Sequence, residues 1–121
     1  MNIYLSHSVN SSYLNDLYLP LKKSDLMTQH QIFFPHDQEK AVNTKEIIAK
    51  SDLVLAEVSF SATGQGIELG WANAANIPII CFYKEGSVPA GSIKFIANKI
   101  FSYVNSEDLI SQISISIPTG Q

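Results

Sequence analysis

The residues best suited to chemistry lie between positions 63 and 74, where the sequence is TGQGIELGWANA. Gly64 and Gly66 allow a tight turn and a close approach of the backbone to a ligand. We predict a helix over 66–75, which puts Glu68 in the first helical turn, where the helix dipole favours a charged carboxylate. A carboxylate at the mouth of a cleft can attack a sugar carbon and form a covalent ester. The alternative is a glutamate that only complements the helix dipole.

A second polar stretch, SHSVNSS, occupies positions 6–12. Its hydroxyls and backbone N–H groups precede a predicted helix and form a plausible cradle for an anion. Simple capping of that helix by Ser11 or Ser12 is the alternative. His7 is a candidate to contact a bound base or phosphate because it follows a strand. No cysteine or carboxylate stands at zinc-ligand spacing from His7 or His36, so no metal site is predicted.

Short strand-like runs alternate with helix-like runs along the whole chain. The predicted strands are 2–6, 31–34, 53–59, 77–83 and 99–104. The predicted helices are 11–29, 43–50, 66–75, 91–98 and 105–113, with a kink or a split of the first at Pro20. This alternation predicts an α/β fold of three layers, α/β/α, around a flavodoxin-like sheet of about five parallel strands.

Ligands bind to such sheets beyond the carboxyl ends of the strands. Ligand-binding residues are therefore expected in the loops that follow the first, third and fourth strands, at 5–10, 59–66 and 83–92. Glu57 lies near the end of a strand that is otherwise continuously apolar. A buried carboxylate needs a partner or a position at a strand end. Both a place in the site and a satisfied structural role remain open for Glu57.

The bulk composition indicates a core-forming globular protein and excludes several classes of function. The chain has 121 residues, 45% hydrophobic and 16% charged, which fits one domain over 1–121. The net charge is −3 and no basic cluster exceeds Lys22–Lys23, so no nucleic-acid polymer is expected as a partner. No apolar run is long enough for a membrane span, and the N-terminus does not resemble a signal peptide. The single cysteine, Cys81, favours a reducing location, and we predict a cytoplasmic protein.

The stretch from about 50 to 100 resembles the central block of the nucleoside 2-deoxyribosyltransferase family. Within that family it is most similar to the branch of 2′-deoxynucleoside 5′-phosphate N-hydrolases. The shared features are an acidic strand end, a G-x-G-x-E-L-G turn into a helix, and a following strand that begins with proline. The residues that carry them are Asp52, Ala56, Glu57, Val58, Gly64, Gly66, Glu68, Leu69, Gly70, Ala72 and Pro78.

The resemblance implies an enzyme that cleaves the N-glycosidic bond of a deoxynucleoside or its 5′-monophosphate, by hydrolysis or base transfer, without a cofactor. It implies that Glu68 is the nucleophile and that Tyr4 lies against Glu68 and the sugar. It also implies that Ser8 holds the 5′-phosphate and that Ser92 reaches the site of a neighbouring subunit, in a homodimer. The full set expected to bind substrate is Ser8, His7, Ser61, Thr63, Gly64, Gly66, Ser92 and Glu57.

Two positions depart from the family pattern. Thr44 stands where the family has an aspartate that helps the base to leave. Ala62 stands where the family has a phosphate-binding serine, although Ser61 and Thr63 flank it. These departures leave a second hypothesis open, which is a non-catalytic nucleotide-binding protein of the same fold. A protein-interaction subunit with a large apolar surface is a third.

Three other acids lie near Thr44 in the expected site. They are Asp37, Glu46 and Glu57, and none of them fits the family pattern. The sequence therefore identifies no residue to protonate the departing base.

Overall fold

The computed structural model describes residues 1–118 and contains a five-stranded parallel sheet. The strands are β1 (Asn2–His7), β2 (Gln31–Phe33), β3 (Leu53–Glu57), β4 (Ile79–Lys84) and β5 (Lys99–Tyr103). Their spatial order is β2-β1-β3-β4-β5, and every neighbouring pair is parallel. This is the strand order of flavodoxin-like, doubly wound sheets, so the predicted fold class is confirmed.

Helices connect successive strands and cover both faces of the sheet. The α-helices are α1 (Leu19–Lys22), α2 (Leu26–Gln29), α3 (Thr44–Ala49), α4 (Thr63–Ala74) and α5 (Ser106–Ser116). A π-helical turn, Leu14–Tyr18, leads into α1, and 3-10 turns occupy Pro35–Asp37 and Gly91–Phe95.

The central strand β3 shows why the sheet is buried on both sides. Its side chains alternate between the two faces, as the period of a strand requires. Leu53 and Leu55 pack with the residues of α1 and α5, whereas Val54 and Ala56 pack with those of α3 and α4. All five residues of β3 are buried, which accounts for a sequence that is apolar up to Glu57 at its end.

Helix α4, which carries Glu68, has a well-defined C-terminus. Asn76 adopts a left-handed conformation with φ 59°. The N–H of Asn76 donates to the carbonyl of Asn73 at 3.1 Å, and the N–H of Ile77 donates to that of Ala72 at 2.9 Å. This pair of bonds is a Schellman motif, with asparagine in the place that glycine usually takes. It turns the chain directly into the proline that precedes β4.

The structure corrects two of the predicted helix boundaries. Helix α4 begins at Thr63 rather than 66, because the two glycines lie inside the helix and not in a turn before it. Pro20 does not break its helix: it is the second residue of α1 and directly follows the π-helical turn Leu14–Tyr18, where the regular i→i−4 bonding is already interrupted. The break comes instead between Lys22 and Leu26.

The predicted helix over 91–98 is a 3-10 turn at Gly91–Phe95. The last helix continues to Ser116 rather than ending near 113, and Ile117 remains buried at 5% exposure. The tail over 115–121, ISIPTGQ, predicts fraying; the helix to Ser116 contradicts this at its start, and residues 119–121 lie outside the described part of the chain. No helix within residues 1–118 is both long and apolar enough to cross a bilayer.

Candidate functional site

The Glu68 carboxylate is held by two donors from β1. Tyr4 and Ser6 are two positions apart on this strand, so their side chains share the face that packs against α4. The Tyr4 hydroxyl donates to Glu68 Oε2 at 2.6 Å, and the Ser6 hydroxyl donates to Oε1 at 3.0 Å. Both donors are fully buried, and Glu68 is half-buried. Each carboxylate oxygen therefore has a fixed position at the end of the sheet.

Tyr4 keeps its proton under all ordinary conditions. Burial raises the pKa of Tyr4 well above its usual value, and the hydrogen bond to Glu68 and the negative charge there raise it further. A hydrogen bond with the Thr44 hydroxyl lowers the pKa of Tyr4 in part, so Thr44 lies beside Tyr4. The Tyr4 hydroxyl is therefore always able to donate to Glu68. The oxygens of an ionised carboxylate can only accept hydrogen bonds, so the two groups match.

The position of Glu68 in its helix differs from the prediction. Glu68 is the sixth of the twelve residues of α4, so it lies beyond the first helical turn. The helix dipole acts mainly within the first turn and does not account for a carboxylate at this place. The two hydrogen bonds from β1 account for it instead. From the sequence, Ser6 was expected only as part of the possible anion cradle over 6–12 and not as a donor to Glu68, although its spacing of two from Tyr4 on a strand is the signal that could have identified it.

A cleft of about 440 Å³ opens in front of Glu68, a volume in the range of small-molecule sites. It lies at the carboxyl ends of β1 and β3, where the strand order reverses, as the fold rule for such sheets predicts. Three of the residues predicted to bind substrate line this cleft: His7, Ser8 and Gly64. The structure thus brings these three residues together with Glu68.

The segment 35–42, PHDQEKAV, forms a large part of the cleft wall, although its polar sequence predicts only a loop. It contributes His36, Gln38, Glu39 and Lys40 to the lining, and Thr44 follows it at the start of α3. Its polar sequence after β2 was the available signal, because loops at the carboxyl ends of strands carry function in this fold.

His7 joins three elements through a chain of hydrogen bonds. The backbone N–H of His36 donates to the Tyr18 hydroxyl at 3.0 Å, and that hydroxyl is 2.7 Å from His7 Nε2. His7 Nδ1 is 3.0 Å from the Ser8 carbonyl, which can only accept, so Nδ1 carries the proton and Nε2 accepts from Tyr18. Burial lowers the pKa of His7, and nearby His36 lowers it further. His7 is therefore a neutral ring that braces the Ser8 loop, with both nitrogens occupied.

Four further predicted residues line a second cavity, of about 370 Å³. They are Ser61, Thr63, Gly66 and Ser92. Gln65 lines both this cavity and the Glu68 cleft, and its amide nitrogen donates to the Glu57 carbonyl at 2.7 Å. The predicted substrate-binding residues thus fall into two groups on either side of Gln65.

Glu57 belongs to neither group. Its carboxylate accepts from the backbone N–H and the hydroxyl of Ser59, each at 2.7 Å, and from the hydroxyl of Tyr103. Burial raises the pKa of Tyr103, and its bond to Glu57 adds to that rise. Glu57 lines a third cavity of about 240 Å³. The structure places this acid in a satisfied network away from Glu68, and a contact with substrate stays a prediction.

The acids considered as substitutes for the family aspartate do not line the Glu68 cleft. Asp37 forms an ion pair with Lys22, and neither Glu46 nor Glu57 is among the cleft residues. Glu39 and His36 do line it. Within residues 1–118, no three His, Cys, Asp or Glu side chains come together in a way that could hold a metal ion.

Solved structures of three proteins share this architecture. A CMP N-glycosidase of Clostridium botulinum, BcmB, is 21% identical with a TM-score of 0.66, and the match covers 94% of this chain and 99% of that one. A 2-deoxyribosyltransferase of Bacillus psychrosaccharolyticus is 19% identical with a TM-score of 0.61, over 90% of each chain. This chain has a nucleoside 2-deoxyribosyltransferase-like fold.

A conserved protein of Enterococcus faecalis is also similar in structure, with 17% identity, a TM-score of 0.66, and coverage of 97% of this chain and 99% of its own. By sequence, no protein-family model and no curated protein matches the chain. The resemblance noted in the sequence is thus confirmed at the level of the fold. The narrower branch of 5′-phosphate N-hydrolases stays a prediction.

Proposed function

We propose that this protein cleaves the N-glycosidic bond of a nucleoside or a nucleoside 5′-monophosphate, with Glu68 as the nucleophile. The observation that carries this proposal is a carboxylate held by Tyr4 and Ser6 at the wall of a cleft of about 440 Å³. The proposal is supported by the fold, which is shared with an N-glycosidase and with a 2-deoxyribosyltransferase.

The reaction proceeds in two displacements. A Glu68 oxygen attacks C1′ of the sugar, the C1′–N bond breaks, and its electron pair leaves with the base, which takes up a proton. Water, or a second base, then attacks C1′ of the ester and releases the Glu68 carboxylate. Tyr4 and Ser6 keep the carboxylate aimed at one point throughout, which supplies the near-attack geometry that such a displacement needs.

The 5′ end of the substrate lies at the loop that follows β1. Ser8 is buried, and its hydroxyl oxygen already accepts from the N–H of Asn10 at 3.0 Å. Its hydroxyl proton is then directed to another acceptor, and a substrate phosphate or 5′-hydroxyl is the proposed one. Ser92 lies outside the cleft of its own chain, which is compatible with the predicted homodimer in which Ser92 serves the neighbouring site.

One observation favours a second candidate function, a nucleotide-binding protein without catalysis. Thr44 lies beside Tyr4 and lines the cleft, yet its hydroxyl cannot replace the family aspartate as an acid. This second candidate predicts that the protein binds nucleotides but does not release their bases.

The test is incubation of the wild type and of Glu68→Gln with deoxynucleosides, ribonucleosides and their 5′-monophosphates. Released base is followed by chromatography and binding by calorimetry. We expect release by the wild type, with a loss on the order of a thousandfold or more in Glu68→Gln and with binding retained.

Glu46→Gln is the matched control, because Glu46 is also a helical glutamate but is exposed and lies outside the cleft. Full activity in Glu68→Gln would contradict the mechanism. Binding without release of any base by the wild type would establish the second candidate.

A further inference from the structure

The proposed reaction needs a proton for the departing base, and Thr44 does not supply it. The titratable side chains that line the cleft besides Glu68 are His7, His36, Glu39 and Lys40. His7 is excluded, because Tyr18 and Ser8 occupy its two nitrogens and burial keeps it neutral. The acid must come from the segment 35–42, which leads directly to Thr44 on the base side implied by the family resemblance.

The chemistry of the three remaining side-chain classes separates them. Histidine is the side chain that most often acts as a general acid, ahead of glutamate and lysine. An imidazole exchanges its proton near pH 6.5, and an acid is most effective when its pKa lies near the working pH. Only His36 of this segment belongs to that class.

The structure fixes His36 at the rim of the cleft while leaving its ring available. Its backbone N–H donates to the buried Tyr18 hydroxyl, and the adjacent Asp37 pairs with Lys22. Its ring lies 5.1 Å from the ring of His7 and 5.3 Å from that of Tyr13, measured between centroids. Within residues 1–118 no hydrogen bond occupies either ring nitrogen of His36. The ring is thus supported on one side and exposed on the other.

We propose that His36 is the general acid that protonates the leaving base, in place of the family aspartate; this inference rests on the proposed function. As Glu68 attacks C1′, the electron pair of the C1′–N bond passes to the base and the imidazolium of His36 gives the base its proton. The now neutral imidazole takes a proton from the water that attacks C1′ in the second step. Glu68 is released as a carboxylate, and His36 returns to its starting state.

The test compares two leaving groups on one sugar. The first substrate is the nucleoside 5′-monophosphate that the wild type cleaves, and the second is the 4-nitrophenyl glycoside of the same sugar phosphate. The leaving group of the second substrate departs as a stable phenolate and needs no proton. In His36→Gln we expect kcat/KM to fall by about 10²- to 10⁴-fold on the nucleotide and to stay within about threefold on the nitrophenyl glycoside.

The controls separate this inference from the proposed function. Glu68→Gln should lose both reactions, because both need the nucleophile. His30→Gln should lose neither, because His30 lies outside the cleft. Circular dichroism confirms folding, and His36→Asn provides a second variant with the same expected pattern.

Three results would overturn the assignment of His36 while leaving the proposed function intact. The first is an equal loss on both substrates in the folded variants, which indicates a structural role. The second is no loss on either. The third is a nucleotide-selective loss in Glu39→Gln and not in His36→Gln. Retention of both activities in Glu68→Gln would instead overturn the proposed function, and this inference with it.

Discussion

At the scale of single residues, the decisive feature is that each oxygen of Glu68 has its own donor. Tyr4 provides the shorter of the two bonds, from a fully buried position. Tyr4→Phe removes this bond and little else, because the ring remains. A hydrogen bond to a charged group contributes roughly 1.5–3 kcal/mol, so we expect kcat to fall by about 10- to 150-fold with KM nearly unchanged.

The check is steady-state kinetics of Tyr4→Phe, with Tyr83→Phe as the matched control. Tyr83 is half-buried on β4 and does not line the Glu68 cleft. Because the raised pKa of Tyr4 keeps its proton in place, the ratio of wild-type to variant rates should be constant between pH 6 and 9. A Tyr4→Phe variant as fast as the wild type would mean that the carboxylate does not depend on this donor.

The sequence predicted Glu68 and Tyr4 but not Ser6, and the reason is physical. Glu68 stands out because an acid interrupts an apolar helical run, and Tyr4 was found only through the family resemblance. Ser6 is a small polar residue near a strand end, where a serine can cap a helix, form a turn or be buried. Only the register between β1 and α4 shows that it faces a carboxylate.

At the scale of elements, the Glu57–Tyr103 bond joins the ends of β3 and β5 across β4. Tyr103→Phe leaves the buried Glu57 carboxylate with only the two Ser59 donors. We expect the free energy of unfolding to fall by about 1–3 kcal/mol, as measured by urea denaturation. We expect kcat to stay within about twofold of the wild type, because Glu57 does not line the Glu68 cleft. A large loss of kcat/KM at unchanged stability would instead place Glu57 in substrate binding.

The elements themselves were predictable where hydrophobic pattern and length agreed. The five strands follow from apolar runs between polar segments, and their parallel arrangement follows from the α/β alternation. The start of α4 was not predictable, because Gly64 and Gly66 are poor helix formers that tertiary packing overrides. The segment 35–42 was the larger omission, since its role depends on where β2 ends relative to α4.

At the scale of the whole molecule, the buried neutral His7 makes stability depend on pH. The pKa of His7 is lowered by burial in the folded state, whereas an unfolded histidine titrates near 6.5. Below about pH 6.5 the unfolded chain therefore binds more protons than the folded one, so the free energy of unfolding falls as the pH falls. Above that pH both forms are neutral and this contribution is constant.

The measurement is urea denaturation of the wild type and of His7→Gln at pH 7.5 and pH 5.5. His7→Gln should be less stable at pH 7.5 but should lose less stability on acidification than the wild type. His30 also has a lowered pKa, through burial and the N-terminal charge, but it is present in both proteins and cancels in the comparison. An identical loss of stability in the two proteins would show that His7 is not the titrating group.

The central claim is that Glu68 forms a covalent bond to the sugar, and the most direct test is the mass of the protein during turnover. A reaction with a cleaved nucleotide is quenched in acid within milliseconds, and the intact protein and its peptides are weighed. We expect a fraction of the wild type to gain the mass of one glycosyl unit, on the peptide that contains residues 63–74, and no gain in Glu68→Gln. Base release by the wild type with no adduct at any time, or with the adduct on another residue, would contradict the account.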